Sequence, residues 1–346
     1  MPRPMMRAAV LVRPRRIEVR RVPSPPPPGR GEALVRVTAV GICRSDLHYW
    51  LHGRIGSQVI RRWPQVLGHE PAGEVVRTGP GVRGLKPGDR VAIEPAVPCG
   101  RCRECRTGRH NICAQVKFLG LPGRPGALAE YLVMPAANLV KVPARVTPAE
   151  TAALEPLAIG LHAVRLVGKP PRSAAIIGAG PVGLCLLAAL RSGGTRVTVA
   201  DFVPARLRVA RRMGAAATIR ISPRRPMVAQ ATSLGDPALV FEAGGTPSAV
   251  DLALRAVRPG GKVALVGIMD GSLTPVNLHV ARRKEMTILN VRRSNGELAA
   301  AARLVASGRI NLQPMLTHRG GLAATARFFS LVNRRADGVI KAVIEP

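Results

Sequence analysis

The stretch 173-SAAIIGAGPVGLCLLAALRSGG-194 decides the fold of the second half of the chain. An apolar run leads into a glycine-rich turn, and an uninterrupted apolar segment follows the turn. This order predicts a strand, a tight turn and a helix whose first N–H groups can bind the pyrophosphate of a dinucleotide. The turn contributes five candidate cofactor-binding residues: Gly178, Gly180, Pro181, Val182 and Gly183.

The same strand–helix order continues after this stretch. A second strand and helix are predicted in 197-VTVADFVPARLRVARRMGA-215, and β-rich runs follow at 238–241, 263–266 and 287–291, with helical stretches between them. Alternating strands and helices indicate a parallel sheet with helices on both faces. The second half of the chain is therefore predicted to be a doubly wound α/β domain.

The acid Asp201 ends the second of these strands, 18 residues after Gly183. An acid at this place accepts hydrogen bonds from the ribose hydroxyls of the cofactor and repels a 2′-phosphate. We therefore predict NAD and not NADP as the cofactor, although the nearby Arg206 weakens the exclusion.

A second informative stretch, 41-GICRSDLHYWLHGRIGSQVIRRWPQVLGHE-70, lies in the first half. Cys43, His69 and Glu70 are residue types that hold a catalytic zinc ion, which needs three protein donors and one open position. Ser45 and His48 follow Cys43 closely and could pass a proton to solvent.

A further acid, Glu155, stands in the otherwise apolar segment 154-LEPLAIGLHA-163. It is either a capping or surface acid, or a buried carboxylate at or beside the metal. A helix that starts at Thr147 with Pro148 in its first turn is predicted to carry it.

Four of the six cysteines lie close together in the loop 99-CGRCRECRTGRHNIC-113. Cys99, Cys102, Cys105 and Cys113 can close a tetrahedral coordination sphere and leave no place for a substrate, as in structural zinc sites. An iron–sulfur cluster and free thiols are the weaker alternatives. In a long chain without a secretion signal, this spacing favours a metal over disulfides.

Length and composition limit the class of protein. The 346 residues suggest two domains, and there is no run of about 18 apolar residues that would predict a membrane span. The net charge of +32 could attract nucleic acid, but aromatic residues make up only 3% of the chain, which is poor material for base stacking. We interpret the charge as a solvated basic surface and expect a cytoplasmic enzyme.

These motifs together resemble the zinc-containing medium-chain dehydrogenase/reductase family, and its polyol branch in particular. The resemblance covers essentially the whole chain and rests on seven segments: GICRSDLHYW at 41–50, GRIG at 53–56, VLGHE at 66–70, VKF at 116–118, EPL at 155–157, GAGPVG at 178–183 and THR at 317–319. It implies a GroES-like, β-rich catalytic domain made from residues 1–154 and 296–346, and a Rossmann domain at 155–295. It also implies a homotetramer.

The resemblance implies a role for individual residues. Cys43 and His69 match the catalytic zinc ligands, and the third ligand is Glu70 or Glu155, depending on the branch. Glu70 is preferred here, with Glu155 hydrogen-bonded to the zinc-bound water or to the substrate, and Asp46 would orient His69. Further cofactor-binding positions are Val266, Gly267, Ile268 and Val291. The polyol pocket would be lined by Ser45, Tyr49, Ile55, Phe118, Glu155 and Arg293, with Arg292 as the rival of Arg293.

The predicted reaction is the NAD-dependent oxidation of a secondary hydroxyl of a polyol such as sorbitol or xylitol. L-Idonate, L-threonine and butanediol are the alternative substrates within the family. A nucleic-acid-binding role on the same fold is the alternative from another class.

Overall fold

The computed structural model describes residues 3–269 and 273–346. The chain divides into two compact units: unit 1 comprises Met1–Glu155, Leu298–Ser307 and Leu316–Pro346, and unit 2 comprises Pro156–Glu297 and Gly308–Met315. The segment 308–315, which the sequence assigned to the first domain, thus belongs to unit 2. Its Met315 sulfur lies 4.0 Å from the sulfur of Cys185, and both side chains are buried. No helix in the two described ranges is long and apolar enough to cross a membrane.

Unit 1 consists mainly of strands. Numbered along the chain, they are β1 Met5–Arg13, β2 Arg16–Pro23, β3 Glu32–Gly41, β4 Arg54–Ile55, β5 Gln58–Val59, β6 Gln65–Val66, β7 Glu70–Thr78, β8 Arg90–Ile93, β9 Ala96–Val97, β10 Lys117–Phe118, β11 Tyr131–Pro135, β12 Leu139–Lys141, β19 Leu316–Gly320 and β20 Lys341–Ile344. Its helices are α1 Arg44–His52, α2 Arg103–Arg106, α3 Pro148–Ala152, α10 Leu298–Ala306 and α11 Thr325–Arg334. The helix α4 Leu154–Leu166 begins in unit 1 and continues in unit 2.

The main sheet of unit 1 combines strands from the first half of the chain with the two strands β19 and β20. Its strand order is β12-β8-β7-β3-β20-β19, and β11 also pairs with β3. At the end of β3, Gly41 is paired with Glu70 on one side and with Val343 on the other. The strand β20 therefore completes a sheet whose other central strands come from the first half of the chain.

The helix predicted to start at Thr147 and to carry Glu155 is in fact two helices. Thr147 and Glu150 form a reciprocal capping box at the start of α3, as the sequence indicated. The chain then leaves the helix at Ala153 and starts α4 at Leu154. Pro156 explains the break, because a proline lacks the N–H that a continuous helix needs and restricts the residue before it.

Unit 2 contains a six-stranded parallel sheet. Its strands are β13 Ser173–Ile177, β14 Arg196–Asp201, β15 Ala217–Arg220, β16 Leu239–Glu242, β17 Lys262–Leu265 and β18 Thr287–Asn290. Its helices are α5 Pro181–Ser192, α6 Pro204–Arg212, α7 Met227–Thr232, α8 Pro247–Ala256 and α9 Leu278–Arg283. The order β15-β14-β13-β16-β17-β18 is that of a doubly wound sheet, so this prediction is confirmed.

The glycine turn between β13 and α5 is packed too closely for side chains. Gly178 has a φ of 101°, in the region that favours glycine. A Cβ atom on Gly183 would overlap the carbonyl oxygen of Gly178. The turn therefore brings the N-terminus of α5 close to the end of β13, as the sequence predicted.

We expect Gly183→Ala to lower the free energy of unfolding by about 1–3 kcal/mol, because the added methyl group forces the Gly178 carbonyl to move. The matched control is Gly193→Ala at the other end of α5, where φ is −94° and the new Cβ would lie 3.5 Å from Leu190 O. Thermal unfolding monitored by circular dichroism compares the two variants. Equal melting temperatures would contradict the close approach at the turn.

Candidate metal and cofactor sites

Three side chains of unit 1 form a candidate metal site. The donor atoms of Cys43, His69 and Glu70 all lie within 4.8 Å of one another. Cys43 is the residue that precedes α1, and His69 and Glu70 lie where the chain enters β7. A thiolate, an imidazole and a carboxylate form a donor set that suits zinc. The residues thus fit the metal that the sequence predicted.

Asp46 connects the segments that carry these donors. Its Oδ1 lies 3.2 Å from His69 Nδ1 and also accepts the Gly68 N–H, and its Oδ2 accepts the Cys43 N–H at 3.1 Å. When Nδ1 of the imidazole donates to Asp46, Nε2 keeps the lone pair that a metal needs. Ser45 Oγ lies 3.3 Å from the same Nε2 atom, so the Ser45 hydroxyl borders the donor group.

The protonation of His69 reflects this environment. Burial lowers its pKa, but the negative charges of Asp46 and Cys43 and the hydrogen bonds with them outweigh burial and raise the pKa well above its usual value. A metal at Nε2 would take the place of that proton, because only the neutral imidazole binds a metal.

Glu70 forms a buried ion pair with Lys341, and both side chains are 1% exposed. Lys341 Nζ also donates to the Ile42 carbonyl at 3.1 Å. The absence of a side chain at Gly41 makes the pair possible, because a Cβ there would overlap Glu70 Oε2. Burial lowers the pKa of Lys341, yet the charges of Glu70 and Cys43 outweigh it, so the pKa is raised and the ammonium form is favoured.

Glu155 is buried in the first turn of α4, at 4% exposure. Its Oε2 accepts no hydrogen bond from any residue that the structure describes. Burial raises the pKa of this carboxyl to about 8, and the charges of Glu70 and Glu94 act in the same direction, against those of His69 and Lys341. Glu155 is therefore a buried acid among the charges of this site and not a surface or capping acid. The close donor group in the described ranges contains Glu70 and not Glu155.

The residues predicted to handle the substrate lie in different environments. The Phe118 ring centroid is 5.5 Å from that of His69, so Phe118 borders the donor group.

Tyr49 is 1% exposed in the core of unit 1, with its hydroxyl 3.4 Å from Gln58 Oε1, and Ile55 packs against the same core. His48 is also buried, at 4% exposure. Arg293 belongs to unit 2 and has a φ of 56°.

The four cysteines of the loop 99–113 also lie together. All four sulfur atoms are within 4.8 Å of one another, and those of Cys102 and Cys113 are 3.8 Å apart, too far for a disulfide. Backbone N–H groups of Arg101 and Cys102 hold the pKa of the Cys99 thiol at about 6, which favours the thiolate that metals bind. This arrangement fits a closed four-sulfur metal site.

Unit 2 brings the predicted cofactor residues to the carboxyl edge of its sheet. Gly180 and Pro181 start α5, and Val182 and Gly183 lie in its first turn. Val266, Gly267 and Ile268 follow β17, and Val291 follows β18. The crevice outside the carboxyl ends of parallel strands is where doubly wound folds bind ligands.

Asp201 ends β14 as predicted, but its carboxylate faces the backbone. Oδ2 accepts the Ala179 N–H and Oδ1 accepts the Val203 N–H, both at 2.7 Å, and the residue is 2% exposed. Arg206 reaches to 3.8 Å from Oδ2. The predicted contact with the ribose thus competes with hydrogen bonds that Asp201 already makes.

Sequence reasoning missed the buried charged residues Lys341, Glu242 and Glu297. Lys341 had one signal, namely a lone cation in the apolar terminal strand VIKAVIEP. Glu242 had a similar one, an acid two residues before the first glycine of FEAGG. Its Oε1 accepts the N–H groups of Gly244 and Gly245, both at 2.7 Å, and so holds the turn after β16.

The chain is similar to known dehydrogenases over most of its length. Residues 29–144 match the alcohol dehydrogenase GroES-like domain family, and residues 181–307 match the zinc-binding dehydrogenase family. The chain is 36% identical over 345 residues to sorbitol dehydrogenase of Bacillus subtilis (strain 168), which covers 99% of this chain and 97% of that protein. It is also 36% identical over 299 residues to L-idonate 5-dehydrogenase of Vitis vinifera, covering 84% of this chain and 81% of that protein.

A crystal structure leads to the same conclusion. An Escherichia coli oxidoreductase/dehydrogenase of unknown specificity aligns with a TM-score of 0.91 and 34% identity, over 99% of each chain. The predicted combination of a GroES-like domain and a Rossmann-type sheet is therefore confirmed. The chain belongs to the zinc-containing medium-chain dehydrogenase/reductase family and is an alcohol or polyol dehydrogenase.

Proposed function

We propose that this protein oxidises a secondary hydroxyl of a polyol, of the sorbitol or xylitol type, by hydride transfer to NAD with the help of zinc. The observation that carries the proposal is the donor group of Cys43, His69 and Glu70, bordered by Ser45 and Phe118 and accompanied by the buried acid Glu155. Three protein donors leave the open position that distinguishes a catalytic zinc site from a structural one.

Cys43, His69 and Glu70 would hold the catalytic zinc ion. When bound, zinc acts as a Lewis acid that lowers the pKa of the substrate hydroxyl. Asp46 keeps the imidazole of His69 in the tautomer that leaves Nε2 available. Lys341 balances the negative charge that the thiolate and carboxylates bring into a buried site.

The chain also has groups that can move the substrate proton. Ser45 Oγ, next to His69 Nε2, is placed to accept it first, and His48 in the same helix is the proposed next group on the way to solvent. Glu155 offers a second route, because its Oε2 is buried without a hydrogen-bond donor from the described residues and can hold a water molecule. Phe118 keeps one side of the site apolar.

The two units also contain the residues proposed to hold a second zinc ion and NAD. Cys99, Cys102, Cys105 and Cys113 would hold a second, structural zinc ion that fastens their loop. The glycine turn, Asp201 and Arg206 would bind the adenosine half of NAD, and the nicotinamide supplies the hydride acceptor. A cytoplasmic homotetramer stays a prediction from the family resemblance.

The choice of substrate rests on two arguments. The B. subtilis relative is a sorbitol dehydrogenase, and the segments HYW and GRIG resemble the polyol branch. L-Idonate is the second candidate, because the Vitis relative is an L-idonate 5-dehydrogenase and because Arg292 or Arg293 would suit the carboxylate of a sugar acid.

We expect Cys43→Ser to abolish alcohol oxidation and to remove one zinc equivalent, because a hydroxyl binds zinc far more weakly than a thiolate. Binding of NADH, followed by its fluorescence, should be unchanged. Zinc content measured by mass spectrometry and the NADH titration test both points. Loss of NADH binding in this variant would contradict a purely catalytic role for this metal.

Cys105→Ser is the matched variant of the cysteine loop. We expect it to remove one zinc equivalent and to lower the melting temperature by several degrees. Each kcal/mol lost from the free energy of unfolding lowers the melting temperature by about 2–4 °C. This variant affects the stability of the cysteine loop and not the catalytic step. An unchanged melting temperature together with the loss of zinc would contradict the structural role.

A substrate panel with NAD tests the proposed reaction directly. We expect kcat/KM for sorbitol or xylitol to exceed that for L-threonine and 2,3-butanediol by about tenfold or more, since a site that hydrogen-bonds several hydroxyls rejects substrates that lack them. A higher kcat/KM for L-idonate would favour the second candidate. Activity on butanediol alone would refute the polyol proposal.

A further inference from the structure

Glu242 is a fully buried acid at the carboxyl end of β16. Its Oε1 accepts the N–H groups of Gly244 and Gly245, both at 2.7 Å. Its Oε2 is also buried and has no hydrogen-bond partner among the described residues. One oxygen of this carboxyl group therefore holds the turn after β16, and the other oxygen has no such role.

The carboxyl group lies where the order of the strands in the sheet reverses. β13 and β16 are neighbours, β14 and β15 lie beyond β13, and β17 and β18 lie beyond β16. A dinucleotide binds across the crevice at this point, with one mononucleotide on each half of the sheet. Asp201 ends β14 and is proposed to meet the adenosine ribose, so the nicotinamide belongs to the half that begins with β16.

Two neighbouring segments approach Glu242 closely at this edge of the sheet. The Ala243 N–H donates to the Ile177 carbonyl at 2.8 Å, which fixes the turn after β16 against the end of β13. On the other side, a Cβ atom on Gly267 would lie 2.7 Å from Glu242 Oε2. Gly267 follows β17 and is one of the predicted cofactor-binding positions. The oxygen without a partner thus lies beside the backbone of a turn in the nicotinamide half.

The elements packed around Glu242 bring no cation to it in the described part of the chain. β13 has no charged residue, and the one charged residue of β17, Lys262, lies at the opposite end of that strand. The helix α8 carries Asp251 and Arg255, which pair with each other at 2.8 Å. The carboxyl group of Glu242 is therefore buried without a counter-charge.

Ionisation of this carboxyl group depends on what binds nearby. Burial raises the pKa of Glu242, and the hydrogen bonds from Gly245 and Gly244, which lower the pKa, do not offset burial. A buried carboxylate is costly unless a cation is close. The nicotinamide ring is positively charged in NAD⁺ and neutral in NADH. The oxidised cofactor would therefore supply the missing counter-charge, and the reduced cofactor would not.

We propose that Glu242 determines specificity for the oxidation state of the cofactor, because its buried carboxylate favours binding of NAD⁺ over NADH. It acts through the field of its charge and not by contact, since the structure leaves Oε2 inaccessible. Weaker binding of NADH suits an alcohol oxidation, in which release of the reduced cofactor can limit turnover. The proposal rests on the proposed function in one respect, namely that unit 2 binds a nicotinamide dinucleotide.

Isothermal titration of the wild-type protein and of Glu242→Gln with NAD⁺, NADH and ADP-ribose tests the proposal at mildly alkaline pH. The glutamine keeps an acceptor oxygen for the turn after β16 and removes the charge. We expect the affinity for NAD⁺ relative to that for NADH to fall about tenfold. ADP-ribose lacks the nicotinamide, so its affinity relative to that of NADH should change by less than about twofold. A merely structural role would weaken all three ligands alike.

Asp251→Asn is the matched control. It removes the same charge from α8, where the side chain is 31% exposed and paired with Arg255. We expect the ratio of the NAD⁺ and NADH affinities to stay unchanged in this variant, because solvent and the arginine screen that charge.

The wild-type protein gives a second measurement that does not depend on the folding of a variant. Acidification through the raised pKa of Glu242 neutralises the carboxylate. The affinity for NAD⁺ relative to that for NADH should therefore fall as the pH is lowered, and the fall should be smaller in Glu242→Gln.

An unchanged affinity ratio in Glu242→Gln would overturn the proposal, as would an equal change in Asp251→Asn or an equal loss of all three ligands. If Glu242→Gln does not fold, a wild-type ratio that is independent of pH would overturn it. Failure of the wild-type protein to bind NADH would refute the proposed cofactor as well. Absence of polyol oxidation would refute the proposed reaction and leave the binding preference standing.

Discussion

The buried ion pair between Glu70 and Lys341 is the contact on which the candidate metal site depends. It joins the first residue of β7 to the C-terminal strand β20, across the end of β3. Because both charges are almost fully buried, loss of either partner would leave an uncompensated charge, at a cost of about 3–5 kcal/mol. Only a glycine at position 41 leaves room for the pair. The strand β20 therefore belongs to the same unit as the candidate metal site.

Asp46 holds the other two donors, Cys43 and His69, in position through hydrogen bonds. One carboxylate contacts the imidazole of His69 and the backbone N–H groups of Cys43 and Gly68. It is 2% exposed, so these hydrogen bonds form in a region of low dielectric, where they are strong. The hydrogen bonds of one carboxylate thus connect the segments that carry the donors, and such contacts orient the side chains of a metal site.

Short-range patterns were reliable wherever local chemistry decides the structure. The glycine turn, the capping box at Thr147 and the strands of the parallel sheet lie where the sequence predicted them. The single helix predicted through Glu155 was wrong, because Pro156 interrupts the helix after Ala152. Asp201 ends its strand as predicted, but its two backbone hydrogen bonds depend on the turn before α5 and could not be read from spacing.

The sequence by itself determined the two folds, the family and the residues that could hold metal and cofactor, because spacing and residue type suffice for these. Only the tertiary structure decided which charged residues, distant in the chain, lie next to one another. It grouped Glu70 with Cys43 and His69, buried Glu155 beside them, and paired Glu70 with Lys341. It likewise placed Arg220 next to Asp201. Strand pairing and burial set these distances and local dielectric environments, and neither is encoded in any one stretch of the chain.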